Sequence, residues 1–122
     1  MNELVAALFG AAVLFSARSA KAAEFPAAKK GLPSLVMLST LTCPACVRMS
    51  KVMDSMSEKY AGKMAAEKIN ISEKRELAYE FKVQYIPHLL FIDAQGQIVR
   101  QETGYLDEEE VIKIFEGVGI KI

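Results

Sequence analysis

The chain has two cysteines, at positions 43 and 46 within Thr42-Cys43-Pro44-Ala45-Cys46-Val47-Arg48. With both in one short motif, no framework of structural disulfides can staple the fold, so a packed core has to stabilise it. The apolar run Leu35-Val36-Met37-Leu38 precedes the motif, and Pro44 suits a first helical position, which puts the pair at a strand-to-helix junction. Residues i and i+3 in a first helical turn hold their Cα atoms roughly 5 to 6 Å apart, within the range a disulfide requires. The two thiols can therefore join and part without refolding. Unpaired N–H groups and the positive end of the helix dipole favour a thiolate at the first cysteine. Cys43 is the expected nucleophile and Cys46, one turn in, the resolving thiol, with Thr42, Pro44 and Ala45 supporting them.

An apolar fraction of 52% in 122 residues supplies one compact domain and too little for two. Fifteen basic residues balance fifteen acidic ones, so no global field points toward nucleic acid, and none is expected as a partner.

Leu4 to Phe15 is an unbroken apolar run, and the small residues after it include Ala20-Lys21-Ala22 as a cleavage site. That layout is a secretory signal peptide, too short to span a bilayer comfortably, which takes about 20 apolar residues. Because Met1-Asn2-Glu3 lacks a basic residue, the other readings of residues 1–23 are an uncleaved membrane anchor and an ordinary N-terminal helix packed on the domain. Export is expected, to the bacterial periplasm or another extracytoplasmic site. Residues 24–34, with Pro26, Gly31 and Pro33, read as a linker, which leaves 35–122 as the domain.

Leu35 to Leu38 is apolar on both faces, as in a central strand covered on each side. A helix is predicted from Pro44 to about Tyr60, with Met49, Val52, Met53 and Met56 on one face; these methionines read as core filler, not soft-metal ligands. Met64 to Ile71 is a second strand, and Ser72 is placed to cap a helix over Glu73 to about Lys82. His88 to Ile92 and Ile98 to Glu102 form a hairpin around Asp93 to Gln97, and Asp107 caps a last helix.

From Leu35 to Val118 this order of elements resembles the thioredoxin family, with Ile86-Pro87 before the third strand, forty-one positions after Cys46, and Gly104 after the hairpin. The resemblance implies an α/β domain with a minimal thioredoxin fold, a central four-stranded mixed sheet flanked by three helices. It also implies a cis bond at Pro87, beside the two thiols, and a substrate strand pairing with the backbone at Ile86, with Gly104 bordering the groove. The reaction implied is thiol-disulfide exchange: Cys43 attacks a substrate disulfide, and Cys46 then displaces the reduced substrate. No cofactor is needed beyond the Cys43-Cys46 disulfide itself. The implied partners are a disulfide-containing protein substrate and a membrane electron donor of the DsbD or CcdA kind, met by a monomer.

Four positions depart from the family pattern. Thr42 stands where thioredoxins usually carry tryptophan, Met37 where many bury an aspartate, and Pro44-Ala45 replaces Gly-Pro. Little chain precedes Leu35 to form the strand and helix that open a full thioredoxin. A reductant of protein disulfides is the first expectation; a disulfide oxidase or isomerase of the same fold is the alternative. Leu41-Thr42-Cys43 also resembles the loop of Cu(I)-binding metallochaperones, and a binding module without turnover is a third class. His88, the lone histidine, either faces the thiols or turns away, and Arg48 and Lys51 could raise the potential near Cys43.

Overall fold

The computed structural model describes residues 25–122. The expected signal peptide or anchor, residues 1–23, lies outside them. Four strands, β1 (Ser34–Ser39), β2 (Ala65–Asn70), β3 (His88–Ile92) and β4 (Ile98–Thr103), form one sheet in the order β2-β1-β3-β4. Strand β1 runs parallel to β2 and antiparallel to β3, and β3 runs antiparallel to β4. The parallel pair requires a crossover, and helix α1 (Pro44–Lys59) provides it. Helices α2 (Arg75–Glu80) and α3 (Glu108–Gly117) complete the fold.

Every residue of the two central strands is buried. Alternation along them supplies two separate cores. Leu35 and Met37 of β1, with Leu89 and Phe91 of β3, meet Met49, Met53 and Met56 of α1. Phe115 of α3 closes that layer, its ring edge-on to Phe91 with centroids 5.0 Å apart. On the opposite face Val36, Leu38, Leu90 and Ile92 pack with Phe25, Ala28 and Leu77. The methionines on α1 thus fill the core.

Asp107 caps α3 in a reciprocal box: its carboxylate accepts the Glu110 N–H at 2.8 Å, while Glu110 Oε1 accepts the Asp107 N–H at 3.0 Å. Glu108 then fastens α3 to the end of α1, accepting from Lys59 Nζ at 2.8 Å and from the Tyr60 hydroxyl at 3.1 Å. At the hairpin, the Asp93 carboxylate accepts the N–H groups of Gln95 and Gln97, and Gly96 takes the left-handed conformation the turn needs, φ +84°. Strand β4 forms one edge of the sheet, with Arg100 and Glu102 paired along it at 2.6 Å.

Two expectations need correction. The segment read as a linker is, from Phe25 onward, part of the domain: Pro26–Lys30 is a 3-10 helix, and Phe25 is only 2% exposed. Its ring lies 6.0 Å from that of Phe81, the Ala27 N–H donates to Glu67 Oε1 at 3.0 Å, and Ser34 Oγ donates to the Ala27 carbonyl. Burial of one aromatic ring and two alanines outweighs the Pro and Gly content of the stretch. The second helix is also shorter than expected, because Asn70 Oδ1 takes the Ser72 N–H at 3.0 Å and folds residues 70–73 into a turn. Ser72 caps nothing. At the other end Lys82 adopts φ +50°, and the Val83 N–H returns to the Ala78 carbonyl, which terminates α2.

Candidate active site

Cys43 is the N-cap of α1, with extended backbone angles, and its sulfur accepts the Cys46 N–H at 3.2 Å. A cap position normally filled by an oxygen is filled here by a thiol, so the first turn of the helix solvates the sulfur directly. The hydrogen bond with the Cys46 thiol holds the Cys43 thiol below its ordinary value, burial opposes it, and the N–H groups of Cys46 and Ala45 add to the lowering. Cys46 is 2% exposed. Burial first, then the hydrogen bond with Cys43, pushes its thiol up to about 11 against a lowering by the Thr40 backbone. Both cysteines are free thiols in the structure, Cys43 half-buried and Cys46 buried.

One sulfur is therefore partly open to solvent and more readily ionised, and the other is enclosed and held neutral. Alkylation of the reduced protein with iodoacetamide is expected to modify Cys43 first, with a rate that rises with pH and levels off below the ordinary thiol range. Cys46 should react only as the pH approaches its raised value. Peptide mapping of the modified protein across pH checks both statements, and equal labelling of the two cysteines near neutrality would contradict them.

The Ile86-Pro87 peptide bond is cis. The Ile86 carbonyl oxygen lies 4.0 Å from Cys43 Sγ, and the Gly104 N–H donates to the Pro87 carbonyl at 2.8 Å. Gly104 takes φ +94°, and a side chain there would meet nothing within 4 Å. Its role is conformational. The structure thus brings Cys43, Cys46, Ile86, Pro87 and Gly104 into one place, although they come from three separate stretches of chain. Thr42 and Pro44 are exposed beside them and Ala45 is half-buried.

Other candidates fall differently. His88 pairs across the sheet with Leu38, on the face away from α1, and its Nε2 lies 2.8 Å from Gln101 Oε1. It turns away from the thiols. The Arg48 guanidinium lies over the Tyr105 ring, 4.7 Å from the centroid. Met37 is buried in the core and borders a cavity of about 220 Å³ beside Cys46, which Ser50, Lys68 and Asn70 also line. Tyr105 and this cavity were not read from the sequence; the only signal for Tyr105 is its place next to Gly104.

A dithiol held in this way, on the end of a helix crossing a mixed sheet, defines a thiol-disulfide oxidoreductase. Residues 21–119 match the thioredoxin-like domain, and the chain belongs to that family. It is 31% identical to a thioredoxin of Alicyclobacillus acidocaldarius over 79 residues, covering 65% of this chain and 74% of that one. A thioredoxin of Haemophilus influenzae is 29% identical over 80 residues, 66% of this chain and 74% of its own. Among solved structures, an uncharacterized thioredoxin-like protein of Clostridium perfringens superposes with a TM-score of 0.65 at 27% identity, covering 76% of this chain and 75% of that one. Chloroplastic thioredoxin z shares the fold, with a TM-score of 0.70 at 17% identity over 83% of this chain and 95% of its own.

Proposed function

We propose that this oxidoreductase works as a reductant of protein disulfides outside the cytoplasm, with Cys43 as nucleophile and Cys46 as resolving thiol. The observation that carries the reading is the asymmetry of the pair, one capping sulfur that ionises readily and one buried sulfur at about 11. Cys43 thiolate attacks a substrate disulfide; one substrate sulfur leaves as a thiol, and the other stays bonded to Cys43. An extended stretch of substrate pairs with the backbone at Ile86, beside Pro87 and Gly104. Cys46 gives up its proton toward the cavity lined by Ser50 and Lys68, attacks Cys43 and releases the second substrate thiol. The Cys43-Cys46 disulfide left behind is the electron carrier, and a membrane donor of the DsbD or CcdA kind would reduce it. The export signal read in residues 1–23 supports the extracytoplasmic setting.

What holds Cys43 bears on the direction of flow. A strong oxidant owes its potential to a stabilised reduced form. Here the groups that lower Cys43 are the Cys46 thiol and two backbone N–H groups, none of them a cation, and Cys46 is raised. That arrangement supports the reductant reading. Copper binding by the same two sulfurs requires both as thiolates, and burial of Cys46 works against that. Equilibration of the protein lacking residues 1–23 against glutathione and dithiothreitol buffers tests the direction. A potential near about −270 mV, thioredoxin's value, supports a reductant; one near about −120 mV would make the protein a disulfide donor.

A further inference from the structure

Beside the redox centre, Tyr105 and α1 form the walls of an open cleft of about 320 Å³, lined by Arg48, Lys51, Val52, Ser55, Tyr105 and Glu108. Its position is fixed. Gly104 is hydrogen-bonded to the Pro87 carbonyl, and the Leu106 N–H contacts Met49 Sδ at 3.4 Å, so the segment that carries Tyr105 runs from the cis-proline to the flank of α1. Arg48 follows Cys43 by five residues on α1 and Tyr105 directly follows Gly104, so the cleft lies along α1 next to the redox centre. Its charge is one-sided. Glu108 is the only acid in the lining, and its carboxylate is committed to Lys59 and Tyr60. Among the described residues, Arg48 and Lys51 have no acidic partner. Stacking on Tyr105, itself 38% exposed, orients the Arg48 guanidinium and leaves its edge donors open.

We infer that this cleft selects substrates, taking a carboxylate from an aspartate or glutamate a few residues from the target cysteine. The inference deepens the reductant reading and rests on it. Arg48 binds the carboxylate through its guanidinium edge, Lys51 adds a second positive charge, and Tyr105 packs against the substrate backbone. Arg48 and Lys51 touch no reacting atom and are specificity residues.

The test uses the reduced protein in single turnover, so that its own two thiols supply the two electrons and two protons. The substrates are peptides of one sequence whose cysteine is joined by a disulfide to 2-mercaptoethanol, with Asp, Asn or Lys three residues from it on either side. Bis(2-hydroxyethyl) disulfide is the uncharged control. The second-order rate constant is expected to fall in the order Asp, Asn, Lys, with roughly fivefold between the extremes at low salt, as exposed charge pairs of this kind support. The difference should shrink at high salt. The double variant Arg48→Glu, Lys51→Glu is expected to invert the order while reacting with the control disulfide at the unaltered rate. If all three peptides react alike while the control is reduced normally, the carboxylate preference is overturned and the reductant reading stands. If the control is not reduced either, both fall together.

Discussion

Changing Cys46 to serine is expected to end turnover and to leave substrate covalently attached to Cys43. The capping sulfur of Cys43 keeps its backbone N–H partners in the variant, so the first attack still occurs. What is missing is the second attack, which only a thiol one helical turn away can deliver. Serine is close in size to cysteine and can keep the Thr40 backbone contact, so the buried position should tolerate it. Mass spectrometry without reductant should find one substrate chain per protein, released by dithiothreitol. The Cys43→Ser variant should show neither turnover nor adduct. If the adduct instead formed on Cys43→Ser, the two roles would have to be exchanged.

The largest expected loss of stability comes from Phe91→Ala. Phe91 of β3 is fully buried and contacts Phe115 edge to face. Truncating a buried phenylalanine costs about 3–5 kcal/mol, against about 5–15 kcal/mol for a whole domain. For a domain of this size the melting temperature should fall by more than about 12 °C. Thermal unfolding followed by circular dichroism measures it, and a fall of only a few degrees would mean that the layer between the sheet and α3 collapses readily into the space left.

The elements that position the site could be read from the sequence because local and tertiary signals agree there. Leu35 to Leu38, Pro44 after Cys43, and Asp107 before three glutamates each carry a steric or electrostatic reason for one structure only. Leu77 of α2 packs into the core on the other face of the sheet. The failures arise where a contact distant in sequence decides. Nothing local to Phe25 shows that Phe81 and Glu67 will receive its segment. Ser72 looks like a cap until Asn70 takes its N–H, a competition between two good side-chain acceptors that propensity cannot settle. Arg48 has a positive charge near Cys43 in sequence, yet its stacking on Tyr105 depends on a residue fifty-seven positions away.

The outer strands of the sheet differ from its centre in a way that bears on behaviour at high concentration. On one side the 3-10 helix lies against β2, with the Ala27 N–H bound to Glu67. On the other, β4 pairs only with β3 among the described residues, and it carries Arg100, Gln101 and Glu102 instead of an apolar stripe. Bare strand edges template the addition of further strands, and charge along them discourages it. On the function proposed above, an extended substrate pairs at Ile86, and the charge along β4 discourages the same pairing at the sheet edge. A substrate chain that docks beside Cys43 would then leave without having seeded strand addition at the sheet edge.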